Sequence, residues 1–387
     1  MKRAERLAQL PPYPFARWAA EVAKARRQGR DVIRLDIGNP DMPPPSEVVE
    51  ALCEVAGNPS VHGYAGYRGT PALRKAIAAY YARRFDVTLD PETEVVPLLG
   101  SKEGIVNLAL AWLNPGDVVL VPDPGYAPYT MGARLAGAEV YAMPLEASNG
   151  FLPVLEVIPA EIRQRAKVMW LNYPNNPTGA VADGAFLREA VAYAKAHDIL
   201  LCYDAPYSDV TYQGYTAPSI LQIEGARDVA VEFNSLSKTY NMAGWRVGMA
   251  VGCPKALAAL MQVKSNVDSG MFYPLQHAAV RALSLDPEWI RTRNDVYWER
   301  LQLLASGLRT LGMEVTLPKG ALYLWTPVPE SQNAEQVARR WLFEAGVAVA
   351  PGTFFGPSGA GYVRISVTAP TSRLKEALER LQALGAG

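Results

Sequence analysis

Cysteine and histidine are scarce, with three of each in 387 residues. Cys53, Cys202 and Cys253 are scattered and odd in number, and no CxxC pair occurs. Neither a disulfide framework nor a zinc site is indicated. His62, His197 and His277 are equally isolated and read as ordinary structural or surface residues, so no metal is expected. An excess of one charge is also missing, because 38 Lys plus Arg balance 38 Asp plus Glu. That balance gives no broad electrostatic drive toward nucleic acid or an anionic membrane. No apolar run approaches the roughly 18 residues that mark a membrane span. Met1 to Leu10 is charged and lacks the apolar centre of a signal peptide. A cytoplasmic protein without nucleic-acid or membrane partners is the expectation. Repeats and low-complexity segments are absent as well.

What is present is an ordinary globular composition, 49% hydrophobic and 20% charged, on a chain long enough for about two or three domains. Arg17 to Gln28 reads as a short amphipathic helix with Gly29 as its stop. Pro40 to Pro45 holds four prolines in six residues and reads as a connector. From Ser46 to Val263, apolar runs alternate with helical patterns. Val95 to Leu99, Val118 to Val121, Val168 to Leu171, Ile199 to Tyr203 and Val229 to Val231 are short and apolar. Such runs fit strands buried on both faces of a parallel sheet. Helical segments such as Ala185 to Ala196 lie between them. The predicted fold is therefore α/β: a three-layer α/β/α large domain with a mainly parallel sheet, plus a smaller α+β domain. The smaller part is read from a long helix at Pro287 to Leu311, strand pairs within Val315 to Val328 and a helix at Ala334 to Ala345. A strand at Gly361 to Val367 and a closing helix at Ser372 to Leu384 complete it. The expected domains are 1–45, an N-terminal segment packing with the small domain, then 46–285 and 286–387.

The most informative run is Asn234-Ser235-Leu236-Ser237-Lys238-Thr239-Tyr240, continuing to Arg246 and Gly248. A lysine after two serines and eight positions before an arginine suits a covalent aldehyde cofactor carrying a phosphate. The amine would condense with the aldehyde, and hydroxyls with a guanidinium would hold the phosphate. Gly100-Ser101-Lys102-Glu103-Gly104 follows an apolar run and opens a helix, where free N–H groups favour phosphate. A plain N-cap by Ser101 is the commoner use of such a serine. Asn172 to Gly179, with two prolines and a glycine, fixes an irregular backbone from which Asn176 projects, or is simply a rigid turn. Asp204 ends an apolar strand. A buried carboxylate there needs a partner, and a protonated pyridine nitrogen would serve; capping of the next turn is the plainer use.

These motifs, in this order on one α/β domain, resemble the class I/II aminotransferases of pyridoxal-phosphate fold type I. The resemblance runs from Tyr13 to Arg364. It implies pyridoxal 5'-phosphate held as an internal aldimine by Lys238, which then shuttles the proton between the substrate α-carbon and the cofactor. It implies that Asp204 keeps the pyridine nitrogen protonated, Tyr126 stacks on the ring, and Asn176 and Tyr207 bond the ring oxygen. Ser101, Lys102, Ser235, Ser237 and Arg246 would surround the phosphate. Tyr64, in Gly63-Tyr64-Ala65-Gly66-Tyr67-Arg68-Gly69, resembles the tyrosine that reaches a neighbouring subunit's phosphate. A homodimer with shared active sites is therefore implied. Arg364 would grip the substrate α-carboxylate and Gly38 would contact it through its backbone; a surface salt bridge is the plainer use of Arg364.

Leu10 to Phe15, Gly100 to Ile105, Asn172 to Ala180, Lys238 to Gly248 and Lys264 to Gly270 further resemble the LL-diaminopimelate aminotransferases. That family would carry Tyr13, Lys102 and Asn266 into substrate binding, Asn266 across the dimer. The implied reaction is ping-pong transfer from an amino acid to a 2-oxo acid, with LL-diaminopimelate and 2-oxoglutarate as first expectation. The chain departs from the pattern at Arg68, where the plant-type enzymes carry an acidic residue nearby that helps recognise the distal ammonium, and at Pro206, where alanine is usual. Aspartate, alanine, aromatic or N-succinyl-diaminopimelate substrates stay open, as do carbon–sulfur β-lyase and decarboxylase chemistry with the same cofactor.

Two readings lie outside this class. Ser235 to Lys238 is also an S-x-x-K string, the mark of penicillin-recognising serine enzymes. Those enzymes also need S-D-N and K-T-G, which Ser265-Asn266-Val267 and Lys238-Thr239-Tyr240 do not match. Cofactor-sensing regulators add a DNA-binding domain, for which the segment before Asp36 is too short and lacks a helix-turn-helix pattern.

Overall fold

The computed structural model describes residues 3–329 and 332–385; the parts of the sequence readings that fall on residues 1–2, 330–331 and 386–387 lie outside them. In chain order the strands are β1 (Ile33–Arg34), β2 (Val95–Leu98), β3 (Val118–Asp123), β4 (Glu139–Pro144), β5 (Ala166–Leu171) and β6 (Leu200–Asp204). They continue with β7 (Ala230–Ser235), β8 (Gly248–Gly252), β9 (Tyr323–Pro327), β10 (Val347–Ala348), β11 (Ala350–Pro351) and β12 (Tyr362–Ser366).

Seven of them form one sheet in the order β2-β8-β7-β6-β5-β3-β4. All neighbours are parallel except β8, which runs antiparallel to both β2 and β7. The apolar runs are continuous because both faces are covered. Val118, Leu120, Met169, Leu171, Leu201 and Tyr203 face one core, with Leu187, Ala190 and Val191 of the helix Gly184–Ala196. Val119, Val121, Val168, Trp170, Leu200 and Cys202 face the other, with Ile105 and Leu108 of the helix Ser101–Trp112. Alternate residues along a strand point to opposite faces, so one run feeds two cores and the three-layer reading is the observed architecture.

A third core lies around the antiparallel sheet β11-β12-β9. It takes Leu324, Val363 and Ile365 from the strands, Leu322 from just before β9, Trp18 and Val22 from the helix Pro14–Arg27, and Leu374 from the helix Thr371–Leu384. The helix Glu288–Thr310 joins this core to the first. Trp289 and Ile290 near its start pack on the large-sheet core, whereas Tyr297, Leu301, Leu304 and Leu308 pack on the small one. Their spacing of four, three and four is one helical stripe.

Three local expectations change. The first helix begins at Pro14, three residues before Arg17, because a proline is well tolerated in the first turn, where its missing N–H is not needed. Val315 to Val328 holds one strand, β9, and no pair within itself. Pro318 cannot donate to a ladder and Ala321 takes a positive φ of 66°; β9 pairs instead with β12. Finally, β4 and β8 lie outside the apolar runs. β4 is an edge strand with several exposed residues, and β8 is glycine-flanked, at Gly248 and Gly252.

Candidate active site

The carboxyl ends of β2, β5, β6 and β7 open on one side of the sheet, where open α/β folds bind ligands. A cavity of about 330 Å³ lies there. It brings together Tyr13, Gly38, Ser101, Lys102, Tyr126, Asn176, Asp204, Tyr207, Ser235, Ser237, Lys238, Arg246 and Arg364. Thirteen residues read from separate motifs thus share one space. Tyr64 and Asn266 do not line it. Tyr64 is 91% exposed, and the exposed Asn266 amide donates to the Gln262 carbonyl at 2.8 Å. Their segments adjoin, since a Cβ on Gly270 would meet the Gly66 carbonyl. Arg68 is also outside the cavity, its guanidinium donating to the Glu92 carbonyl.

One end of the cavity is built for an anion. Gly100 has φ +80°, a conformation suited to glycine, and it is the N-cap residue of the helix that Ser101 begins. Ser101 is therefore not the N-cap. A Cβ on Gly100 would sit 1.9 Å from Arg246 Nη2, and one on Gly248 would sit 2.7 Å from the Ser101 nitrogen. Missing side chains let the guanidinium and the helix N–H groups converge. The Ser235 and Ser237 hydroxyls lie 2.9 Å apart, with Arg246 Nη1 3.4 Å from Ser237.

At the cavity floor, Asp204 is 2% exposed. Tyr129 donates to its Oδ2 at 2.6 Å, and Oδ1 has no partner. Burial raises the Asp204 pKa to about 7, opposed by the Tyr129 bond. The Asn172 amide donates to the Asp204 carbonyl at 2.6 Å and its Oδ1 receives the Asn176 N–H at 2.8 Å, which fixes the Asn-Pro loop.

Lys238 sits on the short helix Leu236–Thr239 directly after β7, and its amine donates to the Gly38 carbonyl. Burial lowers its pKa to about 7, helped by the positive charges of Arg364 and Arg246. The amine therefore becomes neutral as pH rises through about 7. Competitive acetylation of the cofactor-free protein should show Lys238 half-reactive near pH 7. A Lys238 midpoint above about 9 would contradict this environment.

Across the cavity, Arg364 on β12 is 3% exposed. Nη1 donates to Asn176 Oδ1 and Nη2 to the Asp36 carbonyl, each at 2.7 Å, and Nε has no partner. The guanidinium lies 4.1 Å from the Tyr323 ring centre and 4.6 Å from that of Phe355. Tyr207 and Tyr323 share a hydroxyl contact at 2.7 Å. Gly38 admits this tyrosine, because a Cβ there would lie 1.9 Å from the Tyr323 hydroxyl. Lys102 Nζ stands 4.7 Å from the Tyr13 ring centre.

Sequence reasoning missed Phe15, Ile37, Asn172, Pro206, Ala243, Tyr323 and Phe355 on the walls, and Tyr129 behind Asp204. Tyr129 lies on the helix Pro128–Leu135, three residues after Tyr126, and the two ring centres are 5.7 Å apart.

A lysine at a strand end, a cradle of donors, a buried acid with an unpartnered oxygen and a buried arginine held between rings thus share one cavity. The chain belongs to the family of class I and II aminotransferases, whose model matches residues 30–381. It is 48% identical over 382 residues to the LL-diaminopimelate aminotransferase of Moorella thermoacetica, covering 99% of this chain and 98% of that one. Among solved structures, apo-BacF from Bacillus subtilis matches with a TM-score of 0.96 at 42% identity, covering 100% of this chain and 98% of that one. A probable N-succinyldiaminopimelate aminotransferase from Thermus thermophilus matches with a TM-score of 0.89 at 38% identity, covering 95% and 99%. The protein is thus a fold-type-I transaminase, and its family implies dependence on pyridoxal phosphate.

Proposed function

We propose that this enzyme moves the amino group of LL-diaminopimelate to 2-oxoglutarate by a ping-pong reaction, using pyridoxal phosphate bound covalently to Lys238. The observation that carries the cofactor assignment is Asp204 Oδ1, a buried acid oxygen left without a partner in the same cavity as a lysine of lowered pKa. A protonated ring nitrogen suits that oxygen and would return Asp204 to its charged form. The glycine-lined cradle at Gly100 and Gly248 suits the phosphate. When bound, the cofactor supplies an electron-withdrawing ring that stabilises negative charge on a substrate α-carbon.

The residues divide the remaining work. Lys238 Nζ, about half of it neutral near pH 7, is the group that would take the α-proton and pass it back. Arg364 holds the α-carboxylate, with Gly38 nearby. Asn176 and Tyr207 would bond the ring oxygen, and Tyr126 would cover the ring face. Ser101, Lys102, Ser235, Ser237 and Arg246 would hold the phosphate, joined by Tyr64 from a second copy in a homodimer. Lys102 and Tyr13 stand at the cavity wall to meet the distal end of the substrate, with Asn266 reaching in from that second copy.

The substrate assignment draws on the similarity to LL-diaminopimelate aminotransferases along almost the whole chain. A steady-state assay should give parallel double-reciprocal lines with LL-diaminopimelate and 2-oxoglutarate. Activity with another donor alone would remove this substrate, and release of ammonia with pyruvate from a donor that carries a thiolate leaving group on its β-carbon would replace transfer by elimination. An aromatic donor is the second reading, favoured by the apolar wall of Phe15, Ile37 and Phe355. The same assay with phenylalanine separates the two.

Gly100→Ala tests the cradle. A positive φ and a clash with Arg246 both oppose the new methyl, so cofactor affinity should fall by about 10-fold or more, from a strain of roughly 1–3 kcal/mol. Equilibrium dialysis with the cofactor measures it, and unchanged affinity would place the phosphate elsewhere.

A further inference from the structure

Arg293 lies outside the cavity yet is tied to its lysine. It sits near the start of the helix Glu288–Thr310 and is 3% exposed. A guanidinium has five N–H donors, and all of them are used. Nη1 donates to the Lys238 carbonyl and, at 2.7 Å, to the Thr239 carbonyl. Nη2 donates to the Asp209 carbonyl at 2.8 Å and to Asn294 Oδ1 at 2.7 Å, and Nε reaches the same Oδ1 at 3.1 Å. Asn294 is fixed in turn, its amide donating to the Asp209 carbonyl at 2.9 Å and the Thr211 carbonyl at 3.2 Å. The Trp289 and Tyr297 rings lie 5.6 and 5.7 Å from the guanidinium carbon.

Buried cations usually meet a carboxylate. This one meets carbonyl oxygens, because the Asp209 carboxylate is engaged by Arg84 at 2.7 Å and Tyr80 at 2.5 Å. Desolvating a charge for such contacts is a poor route to stability, and an apolar side chain often does as well. The contacts gain meaning from what they join. Lys238 and Thr239 end a short helix, where the last carbonyls have no partner within the helix. Asp209 follows Tyr207 by two positions on the turn after β6.

We infer that Arg293 is a positioning residue that clamps the backbone at Lys238 to the backbone at Asp209, holding the Lys238 amine and the Tyr207 phenol toward one cavity. The inference rests on Lys238 as the cofactor lysine. Arg293→Met removes every donor and keeps the stem. Arg293→Lys keeps the charge but not the planar fork that spans both segments.

The test uses the full-length protein and two cofactor forms. Pyridoxal phosphate condenses with a lysine; pyridoxamine phosphate has no aldehyde and binds without doing so. In Arg293→Met, capture of pyridoxal phosphate by the cofactor-free protein should slow about 10-fold or more, while the pyridoxamine phosphate Kd changes by less than about 3-fold. The kcat should fall about 10- to 100-fold with KM nearly constant, the scale of a misplacement of about 1 Å. Arg293→Lys should recover only part of both rates, and it decides the matter if the Met variant does not fold. Normal capture rates, or equal weakening toward both cofactor forms, would overturn the clamp. Borohydride labelling of wild-type Lys238 is the separate control: if it holds while the variants behave as wild type, the clamp alone fails.

Discussion

Lys238→Ala should lower kcat by at least about 10⁴-fold, the upper range for removing a positioned acid–base group, with covalent capture lost as well. The expectation follows from the amine's surroundings. Burial and two arginines bring its pKa to about 7, so near neutral pH a large fraction can accept a proton. Among the described residues no second lysine amine is placed to substitute: Lys102, which also lines the cavity, lies against Tyr13. The anion cradle and Asp204 are untouched by the change, so the variant should still bind the cofactor without a covalent bond. Stopped-flow absorbance with a donor measures the chemical step. Transamination within about 10-fold of wild type would remove Lys238 from the mechanism.

Arg364→Lys should cost about 10²- to 10³-fold in kcat/KM, roughly 3–4 kcal/mol, the range for breaking a buried, hydrogen-bonded charge pair. Lysine keeps the charge and loses the fork that matches a carboxylate bidentately. The plane of that fork is set by Tyr323 and Phe355 on its faces and by Asn176 and the Asp36 carbonyl at its nitrogens. A lysine amine has no such face to stack and would leave Asn176 Oδ1 and the Asp36 carbonyl unevenly served. Cofactor capture should stay near wild type, because none of these groups belongs to the phosphate cradle. A loss confined to cofactor binding would contradict the carboxylate role.

How far the sequence could be read follows from range. Lys238, Asp204, Asn176 and Arg246 stand in strings whose spacing is itself unusual, and the buried parallel strands that carry them announce themselves as apolar runs. Tyr129 and Tyr323 carry no such signature. Their partners, Asp204 and Tyr207, lie 75 and 116 residues away, and only folding brings them together. Arg293 is hidden for the same reason: apart from the neighbouring Asn294 side chain, its hydrogen-bond partners are backbone carbonyls, which leave no mark in a pattern of side chains. β4 and β8 escaped because an edge strand is half exposed and a glycine-bounded strand is short on apolar residues. The single strand in 315–328 shows the opposite error, in which apolar residues around Pro318 suggested a ladder that a missing N–H and a positive φ at Ala321 prevent.

The most direct measurement is borohydride reduction of the holo-protein followed by peptide mass mapping. The account predicts one phosphopyridoxyl adduct, on the peptide containing Lys238. An unmodified Lys238, or an adduct on any other lysine, would contradict it.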